Sequence, residues 1–188
     1  MRPKIVAAGL LVMILGAAAY PMERDGVSYP DRIEVNGAAL ELNGLGTREA
    51  TIFKVNVYVA ALYLEKPGRD GEEIIRSEQV KRLILHFVRK VSAPDITSAW
   101  TEGFKKNAGG ELPSLEERIG ILNSWMVPMA DGERMIFTYL PGVGLEVSVR
   151  GEVKGVIEGS DFASAFFSIW LGGSPPNRGL RDGLLGLD

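Results

Sequence analysis

No cysteine occurs in the chain, so disulfide bridges, a thiol nucleophile and a lipid anchor on cysteine are all excluded, and the fold must rest on its hydrophobic core. A single histidine, His86, leaves the usual zinc clusters without a ligand set, and no metal site is expected. A serine–histidine–acid triad would need His86 beside a serine, yet no serine stands in a Gly-x-Ser-x-Gly elbow. The glycine pairs Gly44-Leu45-Gly46 and Gly142-Val143-Gly144 lack the third glycine and the strand-turn-helix setting of a dinucleotide site. They read as turns, and no cofactor is expected. Basic charge is not in excess either: 21 basic residues face 24 acidic ones, which argues against nucleic acid as a partner.

What is present begins with an amino-terminal pattern. Arg2 and Lys4 precede an apolar stretch from Ile5 to Leu15, followed by Ala17-Ala18-Ala19, the order of a cleavable secretory signal peptide. The stretch is short against the roughly 20 residues that span a bilayer, and charges interrupt every later apolar run. A signal peptide over residues 1–19 is therefore expected, with no stable membrane span after cleavage and a periplasmic or secreted location. Its removal takes two basic residues and no acidic ones, leaving a net charge of −5. About 169 residues remain, enough for one domain with a sizeable core.

Residues 20–30 are polar, carry Pro21 and Pro30, and read as an irregular leader. The domain is expected over residues 31–188. Asn36-Gly37 lies between two alternating runs, Ile33 to Val35 and Ala38 to Leu42, a strong hairpin signal. Phe53 to Leu64 reads FKVNVYVAALYL, too continuously apolar for a strand wetted on one face, and so a long central strand. Further strands are expected at Val80 to Val88, Met135 to Leu140, Leu145 to Val149 and Val153 to Ile157, with Asp131-Gly132 and Arg150-Gly151 as turns. Ala93-Pro94-Asp95 opens a helix with Ile96, Ala99, Trp100 and Phe104 on one stripe. Ser114 and Glu117 suggest a capping box for a second helix bearing Ile119, Leu122 and Trp125 or Met126. Ser160 is expected to cap a third, DFASAFFSIWL, ended by Gly172-Gly173. Strands in hairpins and helices in blocks indicate an antiparallel α+β fold.

Few residues carry chemistry. His86 lies mid-strand and reads as a packed or edge-lying histidine, with haem ligation as the sharper alternative. Glu72-Glu73, Glu116-Glu117, Arg89-Lys90 and Lys105-Lys106 read as ordinary surface charge. Arg48 stands apart, because it lies in Gly46-Thr47-Arg48-Glu49-Ala50 just before the most apolar strand. A guanidinium against an apolar wall suits a ligand with a carboxylate or enolate and a hydrocarbon or aryl body. Pairing with Glu49 or Glu41 at a sheet edge is the competing reading, and the local pattern leaves the two even.

Gly44-Leu45-Gly46-Thr47-Arg48, Val57-Tyr58-Val59-Ala60-Ala61-Leu62-Tyr63-Leu64-Glu65, Ala93-Pro94-Asp95 and Phe167-Ser168-Ile169-Trp170-Leu171-Gly172 resemble the chalcone isomerase superfamily, in its bacterial exported branch. The resemblance runs in order from about Ile33 to the carboxyl terminus. It implies an open-faced β-sandwich, a large antiparallel sheet covered by a layer of helices with a ligand cleft between them. In the plant isomerases the matching arginine steadies an oxyanion, and Arg48 occupies that place. The remaining site departs: Ile96 stands where the catalytic tyrosine belongs, Gly103 at the asparagine, Tyr58 at one threonine and Ile169 at the other. Isoleucine and glycine donate no side-chain hydrogen bond, and losing such donors costs orders of magnitude in rate. Other members of the superfamily bind fatty acids through the same arginine, and certain fungal members bind haem. The expectation is a non-catalytic binder of a fatty-acid-like or other apolar acid, held by Arg48 with Tyr58, Ile96 and Ile169 in the cleft. The alternatives are an isomerase or intramolecular lyase that stabilises an enolate on Arg48, and a haem-binding protein.

Overall fold

The computed structural model describes residues 21–50 and 55–188. The segment expected to be a signal peptide and the start of the long strand at Phe53 fall outside the described residues. A two-stranded ribbon, β1 (Met22–Arg24) and β2 (Val27–Tyr29), comes first. Seven strands then form one antiparallel sheet in chain order: β3 (Arg32–Val35), β4 (Ala38–Ala50), β5 (Val55–Leu64), β6 (Lys81–Phe87), β7 (Arg134–Leu140), β8 (Gly144–Val149) and β9 (Glu152–Ile157). Five helices accompany them: α1 (Gly71–Arg76), α2 (Ala93–Asn107), α3 (Leu112–Ser124), α4 (Ser160–Leu171) and α5 (Arg178–Leu184). The fold is α+β, a large antiparallel sheet with helices laid over one face, as the sequence pattern and the resemblance imply.

Local chemistry explains most of the elements. Asn36 and Gly37 both have positive φ, 50° and 81°, the conformation a two-residue hairpin turn requires and these residue types tolerate. They join β3 to β4 with Val35 opposite Ala38. In β5 every residue from Tyr58 to Leu64 is buried, since both faces are covered. Tyr58, Ala60, Leu62 and Leu64 point into the core under the helices. Val59, Ala61 and Tyr63 point into a second core on the far face, closed by Val27 and Tyr29 of the ribbon. The Tyr29 hydroxyl donates to the Val59 carbonyl at 3.1 Å. Helix α4 is apolar nearly all round because it packs on the sheet while α1, α2 and α5 flank it.

Several expectations need correction. Residues 22–29 are not irregular: Asp25 and Gly26, at φ of 49° and 78°, form an Asp-Gly hairpin turn whose strands bury Val27 and Tyr29. Gly44 and Gly46 are not a turn but lie inside β4. A methyl on Gly44 would collide with the Gly183 carbonyl, and one on Gly46 with the Leu180 carbonyl, so these glycines let α5 lie directly on the strand. Ser114 does not cap α3, which starts two residues earlier at Leu112 with Pro113 in its first turn; the Ser114 hydroxyl instead donates to the Glu111 carbonyl at 2.7 Å. Ser160 is the first residue of α4, whose cap is Gly159. Ala99 is exposed, while Ile96, Trp100 and Phe104 are buried as the stripe requires.

Candidate functional site

The carboxyl-terminal part of β4, the start of β5, the β6–α2 connection, α2 and the end of α4 surround a cavity of about 420 Å³, within the roughly 300–1,000 Å³ typical of small-molecule pockets. Its wall is apolar and aromatic: Val57, Tyr58, Phe87, Ile96, Trp100 and Ile169. Its rim carries Arg48, Arg89, Lys90 and Lys106 against Asp95 and Glu102. Four basic and two acidic side chains there contrast with a chain whose net charge is −3, so the mouth attracts anions. Arg89, Lys90 and Lys106 are therefore more than ordinary surface charge. Arg48, Tyr58, Ile96 and Ile169, separated widely in sequence, all line this one space, and Gly103 lines it too.

Arg48 sits directly across from Tyr58 in the β4–β5 ladder. Its Nη1 donates to the Glu49 carbonyl and to the Pro176 carbonyl, the latter at 3.3 Å. It forms no ion pair among the described residues, because Glu41 is taken by Arg32 at 3.0 Å and Glu49 offers its backbone rather than its carboxylate. The edge-pairing reading of Arg48 is thereby removed. Nε and Nη2 have no protein acceptor among the described residues, and the fork is partly fixed and partly vacant. That suits an incoming carboxylate, since charge-assisted guanidinium bonds are the stronger class.

The segment Ser174 to Pro176 closes one side of the cavity and is fastened at both ends by asparagines. Asn107 Nδ2 donates to the Ser174 carbonyl at 3.2 Å while its Oδ1 accepts from the Ser174 N–H at 3.1 Å. Asn177 Nδ2 donates to the Thr47 carbonyl at 3.1 Å and its Oδ1 accepts from the Glu49 N–H at 3.2 Å. The second clamp extends β4 with a side chain in place of a strand and holds the backbone on both sides of Arg48. No local sequence pattern marks either asparagine.

Burial pushes the Tyr58 phenol up to about 12, although a hydrogen bond from Trp170 and the charge of Arg48 pull the other way. At neutral pH Tyr58 is thus an uncharged donor. Trp170 Nε1 donates to its hydroxyl at 2.9 Å and fixes its place. At the rim, a hydrogen bond from Lys106 holds the Glu102 carboxyl below the usual range, its charge adds to this, and Arg48 contributes further. Glu102 and Lys106 pair at 2.6 Å.

His86 lies on the other side of the sheet. In β6, Leu83, Leu85 and Phe87 face the helices, so alternation turns His86 with Ile84 toward the second core. Its Nδ1 accepts from Arg134 Nε at 3.0 Å, and burial followed by the Arg134 charge depresses its pKa. His86 cannot serve a ligand in the cavity.

A family model described as chalcone isomerase-like matches residues 21–186. The chain belongs to the chalcone isomerase-like family. A fatty-acid binding protein of Arabidopsis thaliana has the same fold, with a TM-score of 0.68 at 16% identity over 88% of this chain and 96% of that one. A comparison with curated proteins finds no match. In this chalcone isomerase-like chain, Gly103 and Ile169, the two positions where the resemblance implies hydrogen-bonding side chains, pack against each other. A side chain started at Gly103 would place its Cβ 2.7 Å from Ile169 Cγ2. The isoleucine occupies the volume an asparagine would need, and Ile96 adds a second apolar surface where the resemblance calls for a hydroxyl.

Proposed function

We propose that this chain is a non-catalytic binder of a fatty-acid-like or other apolar acid ligand, with the cavity wall around the hydrocarbon and Arg48 on the acid group. One observation carries the reading: a guanidinium with no ion-pair partner among the described residues, at the edge of a cavity walled by apolar side chains and with more basic than acidic groups at its rim. Tyr58, neutral and adjacent to Arg48, supplies a second donor. The fatty-acid binding protein of the same fold supports the ligand class. The amino-terminal pattern supports action outside the cytoplasm, which amino-terminal sequencing of the secreted protein tests through a start at Tyr20.

The alternative, an isomerase or intramolecular lyase working through an enolate on Arg48, needs a proton donor matched to the operating pH. Tyr58 is too weak an acid at about 12, and Ile96 and Gly103 donate nothing. A fluorescent fatty acid titrated into the wild type and into Arg48→Ala tests the binder reading, with saturable binding in the first and weaker binding in the second expected.

A further inference from the structure

The charges at the cavity mouth are not evenly placed. On its helix side Asp95, Ala99, Glu102 and Lys106 recur at i, i+4, i+7 and i+11 along α2, one face of a helix. Both carboxylates there are engaged: Glu102 pairs with Lys106 at 2.6 Å, and Asp95 accepts from the Ser92 hydroxyl at 2.6 Å. On the strand side stand Arg48 of β4 and, just after β6, Arg89 and Lys90. None of these three forms an ion pair among the described residues, and Arg89 and Lys90 are exposed. The surface around them is apolar in part: Pro94 and Ala99 are exposed, and Val55, two residues before the wall residue Val57, is 38% exposed.

We infer that this face docks on a membrane surface carrying anionic lipid, with the cavity mouth turned toward the bilayer. The inference rests on the binder reading and adds the place where the ligand is exchanged. An apolar acid partitions into bilayers rather than water, and a mouth set against the headgroups lets it pass without crossing solvent. Cations without partners suit the anionic headgroups. A protein partner fits less well: exposed aromatic anchors dominate protein interfaces, and the aromatic residues lining this cavity, Tyr58, Phe87 and Trp100, are all buried. A chain of net charge −3 has no general attraction for an anionic surface, so contact requires this face. Each basic residue near such a surface contributes roughly 5-fold in partition, which is on the order of 100-fold for three.

Co-sedimentation of the protein, without fatty acid, with sucrose-loaded vesicles tests the docking. Vesicles of phosphatidylcholine alone are compared with vesicles of equal parts phosphatidylcholine and phosphatidylglycerol. Binding to the mixed vesicles is expected to exceed binding to the neutral ones and to vanish at about 1 M salt, where the Debye length falls to about 3 Å. The double variant Arg89→Gln/Lys90→Gln should bind the mixed vesicles roughly 25-fold more weakly. Lys66→Gln/Arg69→Gln removes two exposed cations beyond the other end of β5 and should stay within about twofold of wild type. No preference for the mixed vesicles overturns the inference, and so does an equal loss in the two double variants. A protein that binds the fluorescent fatty acid in solution yet ignores the mixed vesicles overturns the docking alone. Docking through Arg89 and Lys90 without fatty-acid binding supports the face and overturns the binder reading.

Discussion

The packing of Gly103 against Ile169 can be tested by a double-mutant cycle. In Gly103→Ala the new Cβ would start 2.7 Å from Ile169 Cγ2, 3.1 Å from Cγ1 and 3.3 Å from Cδ1. Overpacking of this kind typically costs about 1–3 kcal/mol. Replacing glycine by alanine inside a helix returns about 1 kcal/mol, so the single change is expected to destabilise by about 1 kcal/mol. Ile169→Ala removes all three obstructing atoms at a cost of about 2–5 kcal/mol. In that background the clash is gone and only the helix term remains, so Gly103→Ala becomes stabilising by about 1 kcal/mol. The change of sign amounts to a coupling of about 2 kcal/mol, well inside the range for residues in contact. Urea unfolding of the four proteins, followed by far-UV circular dichroism, measures it. An effect of Gly103→Ala that is equal in both backgrounds to within about 0.5 kcal/mol would refute the reasoning. With it would fall the account of how Gly103 and Ile169 share one space.

Three further outcomes follow from the same geometry. Lys81 is 1% exposed, its Nζ donates to the Ile74, Ile75 and Ser77 carbonyls at the end of α1, and burial lowers its pKa from 10.5 to about 8. The unfolded chain then holds more protons than the folded one, so stability should rise from pH 8 to pH 10 by roughly 2 kcal/mol; Lys81→Met should flatten that rise, and a slope unchanged in the variant contradicts the assignment. Gly46→Ala should destabilise by more than about 2 kcal/mol because the Leu180 backbone must move, whereas Gly110→Ala, with nothing within 4 Å, should lie within about 0.5 kcal/mol of wild type; similar melting temperatures for the two would sink the explanation of the β4 glycines. Naringenin chalcone at near-neutral pH should cyclise no faster with the protein than without it, and a clear enzymatic rate would return the isomerase reading to first place.

Features that depend on a few neighbouring residues were legible in the sequence. The Asn36-Gly37 turn, the doubly buried β5 and the Ile96-Trp100-Phe104 stripe each follow from a local period or a local conformational need. The Asp25-Gly26 turn was equally local, but the flanking Pro21 and Pro30 made its short strands look irregular. Gly44 and Gly46 misled for a different reason: a glycine kept for close approach looks in sequence like a glycine kept for a turn, and only α5, more than 130 residues later, tells them apart. Helices α1 and α5, six and seven residues long, are too short to display a period. At the site, Arg48 is marked by its place before the most apolar strand, Tyr58, Ile96 and Ile169 come through the resemblance, and the structure places all four around one cavity. Trp100 belongs to the apolar stripe of α2, as its burial requires; that its N–H finds no acceptor among the described residues is visible only in three dimensions. The same holds for Asn107 and Asn177, whose amides act on backbone far away in sequence.

The central claim is that Arg48 holds the acid group of an apolar ligand, and equilibrium titration with a fluorescent fatty acid addresses it most directly. Wild type should bind saturably. Arg48→Ala, which removes a charge-assisted bond, should weaken binding by roughly 10-fold to 150-fold, with its melting temperature showing that the fold survives. Equal affinity in the two proteins would contradict the account.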